Sequence, residues 1–254
     1  GIALVRFGNA GLAVIAAVIL IPATFFLRSP PALAQAAAGM PTTVPTEEAD
    51  RSDMTVRQAL VSAPFVILAL TNFFCCATHS GPIFHTVSYA IICGIPAVTA
   101  ATIYSVEGLA GMAGRLGFGV IADKLGAKNV LVWGLLLQAF GALGYFFAST
   151  LPAFYAAATL FGFVYAGIMP LYAVLARENF PLRMMGTIIG GTSMAGSLGM
   201  ATGPVLGGWL FDTTGNYGSL YLSCFAMGIG ACLIAMTFRP FPKLAPTAAG
   251  AVAA

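Results

Sequence analysis

The 254-residue chain carries little charge: 7% of its residues are Asp, Glu, Lys or Arg, against 59% that are hydrophobic. A soluble domain carries about 25% charged residues, so a water-facing surface over the whole chain is excluded. The net charge is only +3, and no basic stripe with interleaved aromatics occurs, which excludes a nucleic-acid partner. Cysteine is sparse too. Cys75, Cys76, Cys93, Cys224 and Cys232 all lie in apolar stretches, with neither zinc-finger spacing nor the context of a short secreted disulfide scaffold. They read as small packing residues. Histidine is limited to His79 and His85, and that spacing is wrong for one metal on a regular helix, which needs i, i+4. No Ser-His pair and no His/Asp/Glu cluster occurs within the apolar segments. The sequence therefore points to no metal, no cofactor and no enzymatic centre.

What is present is long uncharged runs. Residues 58–106 contain no Asp, Glu, Lys or Arg. As one helix this run would be about 70 Å long, against a hydrocarbon core of about 30 Å. It must turn back, and Gly94-Ile95-Pro96 is the natural place. The run 129–176 repeats this logic with a turn at 149–152, while 8–27, 184–211 and 213–238 are single spans. The total is seven. No alternating runs of the barrel type occur, so the fold class is an all-α membrane protein.

Basic residues set the orientation. Arg28, Arg51, Arg57, Lys124, Lys128, Arg177, Arg183, Arg239 and Lys243 fall on one side, whereas the loops near Gly94, Ser149 and residues 212–219 have none. That side is the cytoplasmic one, the C-terminus lies on it, and a multi-pass protein of the cell inner (plasma) membrane is expected. Seven spans then put Gly1 outside, and the expectation is a fragment preceded by further helices. Residues 29–57, rich in Pro, Ala and acids, read as a cytoplasmic linker between two bundles. Residues 58–240 would form the second bundle, and the Ala- and Pro-rich stretch 241–254 a disordered tail.

The stretch Gly119-Val-Ile-Ala-Asp123-Lys124-Leu-Gly126-Ala-Lys128 closely resembles the signature of the major facilitator superfamily, Gly-x-Leu-Ala-Asp-Arg/Lys-x-Gly-Arg/Lys-Arg/Lys, with Ile121 and Ala127 as departures. The resemblance covers nearly the whole chain. It implies the sixth helix of a twelve-helix fold (1–28), the central loop (29–57) and the complete second six-helix bundle. In the family this hairpin is a conformational motif. Here Gly119 would admit a close neighbouring helix, Gly126 the tight turn, and Asp123 would accept from a helix N-terminus, the candidate being the helix that begins near Met184. Lys124 and Lys128 would fix orientation, or serve only as topogenic charges. A second stretch, Gly199-Met-Ala-Thr-Gly203-Pro204-Val-Leu-Gly207-Gly208, is similar to an antiporter motif of the superfamily, displaced to the pseudo-symmetric eleventh helix. Its own chemistry is that of a small-residue stripe for close helix packing.

Two charges interrupt the spans. Arg115 lies about 12 Å from Asp123 along a helix, and Glu107 about 12 Å further. Each would cost roughly 2.5–3.5 kcal/mol facing lipid, and a spacing of eight residues keeps them from pairing. Each needs a partner on another helix, in water or in a substrate. Arg115 could hold a carboxylate through its fork of donors, or snorkel to the surface. The resemblance implies the first: in the monocarboxylate and oxalate-formate branches an arginine on this eighth helix has that role, and Gly114-Arg115-x-x-x-Gly119 matches its position. Glu107 is a candidate proton carrier or a buried polar group. His79 and His85 flank Ser80-Gly81-Pro82, where a kink is expected; they line a path or pack. Tyr89, Tyr104 and Gln138 are lesser candidates.

The function expected is transport of a small organic anion such as a monocarboxylate by alternating access, with protons as candidate coupling ions, the bilayer as solvent and a missing N-terminal half as partner. Alternatives are a drug/proton antiporter of the same superfamily and a seven-helix receptor.

Overall fold

The structure, a computed structural model, describes residues 54–239 together with Val18 and Pro22. Those two are helical and exposed. The rest of the expected span at 8–27, the linker through residue 53 and the tail 241–254 lie outside the described residues.

Among the described residues there is no strand. A short helix, α1 (Val56–Leu60), precedes six long ones: α2 (Ala63–Ile92), α3 (Ala97–Leu125), α4 (Ala127–Phe146), α5 (Leu151–Asn179), α6 (Met185–Thr214) and α7 (Gly218–Met236). Helix α1 starts inside the stretch expected as linker because Thr55 and Gln58 form a capping box, satisfying two otherwise orphaned N–H groups. The Arg183 guanidinium donates to the Met54 carbonyl and ties this start to the 3-10 turn Leu182–Met184. The three expected turns, at Gly94, at Gly126 and at 149–152, all fall at or next to breaks between helices. Gly94 has φ 86° and Gly126 φ 82°, and Gly126 alone joins α3 to α4. A side chain there would be strained. Pro82 does not end its helix: α2 remains one α-helix through it.

The six helices form two three-helix halves with equivalent contacts. Helix α3 lies mainly on α5, as α6 lies on α2; α4 packs on α5, as α7 packs on α2; α4 and α7 pack on each other. The equivalence is written in proline. Pro64 and Pro152 are each the second residue of their helix, and Pro82 and Pro170 follow each of them at the same distance. Helices α4 and α7 thus join the two halves, and α3 and α6 are the edge helices, with no substantial contact between the edges. The side between α3 and α6 is open.

Glycine makes the edge seams close. A Cβ at Gly114 would collide with the Phe163 carbonyl, and at Gly111 would come within 2.9 Å of Ala166 Cβ. Helix α6 mirrors this on α2. A Cβ at Gly199 would strike the Phe73 carbonyl, at Gly203 would come within 2.6 Å of Ser80, and at Gly207 would strike the His85 ring. With little side-chain volume between them, the backbones approach closely, which is how helices associate where water does not drive them together.

By length and composition, α2, α4, α5 and α7 are apolar enough to cross a membrane. Helices α3 and α6 fall short: α3 carries Glu107, Arg115, Asp123 and Lys124, and α6 is rich in glycine and threonine. The two helices too polar to look like spans are the two that border the open side.

Candidate functional site

Helix α3 buries one narrow stripe, Ala100, Ile103, Glu107, Gly111, Gly114 and Phe118, against its neighbours. In the last turns the same face continues as Ile121 and Leu125, which border a crevice shared with Asn129 and Trp133 of α4. On the flank towards α2, Tyr104 donates from its hydroxyl to the Ile83 carbonyl. At about 100° per residue, Arg115 falls about 20° from Tyr104 around the helix axis. Arg115 therefore leaves α3 on the flank that carries Tyr104, and it is exposed. It sits about 15 Å from the Leu125 end of a helix about 43 Å long. Among the described residues no ion pair reaches it.

The residue that joins Arg115 to the rest of the site is Tyr165, in the middle of α5. It belongs to residues 163–166 of α5, which pack on Gly111 and Gly114 of α3, and Arg115 follows Gly114 in the chain. Tyr165 is half-buried, and its hydroxyl has no hydrogen-bond partner among the described residues. The ring lies 5.3 Å from Phe161 and 5.2 Å from His79. His79 is 4% exposed and fixed from behind. The Gln138 amide donates to His79 Nδ1 at 3.2 Å and to the Cys75 carbonyl at 3.1 Å, while its carbonyl accepts the Cys75 thiol at 3.2 Å. An accepting Nδ1 leaves Nε2 as the ring donor. Tyr165 is absent from the sequence-based candidates because aromatic residues are common in spans. The signal that could have found it is its place in α5, the helix that repeats the proline pattern of α2.

Glu107 lies elsewhere. It is 3% exposed, and its backbone and Cγ press on Gly162 of α5. The Tyr145 hydroxyl donates to Oε2 at 3.4 Å. Tyr145 stacks on Tyr221 at 5.5 Å, and the Tyr221 hydroxyl is 3.5 Å from Thr86 Oγ1. Glu107 is thus held inside the bundle by Tyr145 of α4, whose ring stacks on Tyr221 of α7, and it is not exposed as Arg115 is. His85 also serves a seam. Its Nε2 is 3.2 Å from the Gly203 carbonyl of α6, and its ring lies 5.2 Å from that of Tyr217. Tyr89 belongs to the same outer aromatic cluster, 5.5 Å from Tyr221. The structure thus sets His79 against Tyr165, Glu107 against Tyr145, and His85 in the seam between α2 and α6.

The hairpin motif differs from expectation in two respects. Nothing described lies within 4 Å of a Cβ at Gly119, so the close approach expected there occurs one turn or more earlier, at Gly111 and Gly114. Asp123 is exposed and borders a cleft of about 340 Å³ with Gly119, Gly126, Pro170, Val174 and Glu178. It faces α5, and α6, whose N-terminus follows Met184, packs on α2 instead. The capping partner expected for Asp123 is therefore not that helix. Lys124 is exposed and Lys128 half-buried. In the second motif Gly199, Gly203 and Gly207 face α2, whereas Gly208 meets open space and Pro204 is exposed. Among the described residues no group of three His, Cys, Asp or Glu side chains could hold a metal.

Comparison with known proteins bears on the whole chain. Over 190 residues it is 30% identical to monocarboxylate transporter 12 of Mus musculus, a match covering 69% of this chain and 37% of that protein. It is 29% identical over 133 residues to the sialic acid transporter NanX of Escherichia coli strain K12, covering 52% of this chain and 32% of NanX. An uncharacterized MFS-type transporter, YuxJ of Bacillus subtilis strain 168, is 26% identical over 131 residues, 52% of this chain and 33% of YuxJ. The chain thus spans well under half the length of these relatives. The sequence profile of the Major Facilitator Superfamily matches in two overlapping stretches, residues 2–204 and 116–253. An all-helical bundle of apolar helices with glycine seams is what such a match requires, and the chain belongs to the Major Facilitator Superfamily as part of an integral, multi-pass membrane protein.

Proposed function

We propose that the complete protein is a secondary transporter that carries a small organic anion, in the class of monocarboxylates, by alternating access. Arg115 carries this reading. A cation at this depth, on the flank of α3 that carries Tyr104, has no acidic partner among the described residues. Its turn of α3 packs on the stretch of α5 that holds Tyr165, whose hydroxyl also lacks a partner among the described residues. A planar fork of N–H donors together with one O–H donor suits a carboxylate. His79 backs the Tyr165 ring and holds it in place. The name of the mouse relative, a monocarboxylate transporter, supports the substrate class; that of NanX, a sialic acid transporter, supports an acidic solute more broadly.

The other candidates have supporting roles in this reading. Glu107, inside the bundle beside Tyr145, takes up and releases a proton rather than touching solute. His85 and Gly199, Gly203 and Gly207 keep α2 and α6 together as the bundle moves. Gly119, Asp123, Lys124, Gly126 and Lys128 form the hairpin that meets the other half of the transporter, with that hairpin and the C-terminus on the cytoplasmic side of the plasma membrane. The deciding experiment is uptake of labelled lactate, pyruvate, oxalate and an uncharged analogue by the full-length protein in vesicles, with Arg115→Gln and Arg115→Lys beside it. Selective loss of anion uptake in Arg115→Gln is expected. Equal loss for the uncharged solute would reduce Arg115 to a structural role.

A further inference from the structure

The face of α3 that meets α4 holds a concave feature of its own. A crevice of about 390 Å³ runs between α3 and α4 just beyond their Gly126 junction, lined by Phe118, Ile121, Leu125, Val130, Trp133 and Leu137, with Asn129 at its polar end. Its walls are apolar and open: Leu125 is 63% exposed and Trp133 65%. Trp133 is one of two tryptophans in the sequence. The Asn129 amide donates to the Leu125 carbonyl at 3.2 Å. Lys124 follows Ile121 by three residues, so it emerges on the same flank one turn nearer the helix end, and it is exposed. Lys128, by contrast, borders a separate small cavity with Thr71 and Phe238.

We propose that this crevice is a lipid site that holds an acyl chain of an anionic phospholipid, with the headgroup phosphate on Lys124. In a membrane protein, an apolar groove open to the bilayer is filled by hydrocarbon. A lysine at its polar end selects the negative headgroup, and a tryptophan near the boundary is the usual interfacial anchor. Asp123 is the one acid within the same turn. It borders the cleft against α5 on the other side of α3, so it does not neutralise Lys124 at the groove. The site is independent of the anion-transport reading and rests only on the membrane placement of the hairpin.

The test uses the full-length protein in zwitterionic vesicles doped with phospholipid brominated on its acyl chains. Fluorescence is recorded for the wild type and for Trp133→Phe, and the difference isolates Trp133. Brominated phosphatidylglycerol is expected to quench that signal at about one-fifth the mole fraction needed for brominated phosphatidylcholine, the enrichment that a single lysine near the surface provides. Lys124→Gln should remove the headgroup preference while leaving quenching by both lipids. Equal quenching by the two lipids in the wild type would overturn the proposal in favour of ordinary annular lipid. Absence of quenching by either would overturn it in favour of a crevice covered by protein.

Discussion

At Arg115 the chemistry is that of a charge held at depth, and its substitution separates charge from shape. Arg115→Gln removes a charge-assisted bond worth about 1.5–3 kcal/mol, so uptake efficiency for a carboxylate should fall roughly 10- to 100-fold by initial-rate measurement. Arg115→Lys keeps the charge but loses the fork, and its rate should lie between. Tyr165→Phe deletes one hydroxyl and leaves the ring against His79. It should raise the apparent KM about 3- to 10-fold, the worth of one hydrogen bond, with thermal stability unchanged. Glu107 behaves differently because Tyr145 donates to it from inside the bundle. Glu107→Gln keeps an acceptor for that hydroxyl and should preserve stability, whereas Glu107→Ala strands a buried donor and should cost about 1–3 kcal/mol, read as a lowered Tm in detergent. Equal thermal loss in both variants would mean that the carboxyl is not held by Tyr145.

At the level of helices, the argument concerns which glycines lie in seams. Gly114→Ala places a methyl on the Phe163 carbonyl, backbone that cannot rotate aside. Overpacking of this kind costs about 1–3 kcal/mol, and Tm should drop. Gly119→Ala meets open space, and its Tm should stay within the small range of ordinary surface changes. Helix α6 offers the same contrast, with Gly203→Ala destabilising and Gly208→Ala neutral. The hairpin motif singled out Gly119 for a close approach, while Gly114 stood only as the neighbour of Arg115. The sequence could not tell which faced a neighbour, because spacing fixes a face but not what lies opposite it.

For the whole molecule, the topology can be tested by labelling. Single cysteines placed at Gly94 and Ser149 in a cysteine-free background should react with an impermeant thiol reagent from outside intact cells, and one at Gly126 only after permeabilisation. The reverse pattern would invert the orientation and move the Lys124 lipid site to the other leaflet. The halves of the bundle are related by symmetry that the sequence carried openly, as paired prolines in α2 and α5. It became legible only once the contacts showed those two helices to be equivalent.

The sequence by itself determined that the chain lives in lipid, that it is helical, where it turns and to which superfamily it belongs. Composition, run length, Gly94, Gly126 and the Asp123 hairpin are local or additive properties, and no contact between distant residues is needed to read them. Only the tertiary structure decided the grouping of polar residues. Glu107 and Arg115 share a helix, yet one turns towards Gly162 and the bundle interior and the other is exposed. Tyr165 enters the site from a different helix altogether. Which flank of α3 meets α2, α4 or α5 depends on how six helices pack, and that is a property of distant pairs that no single segment contains.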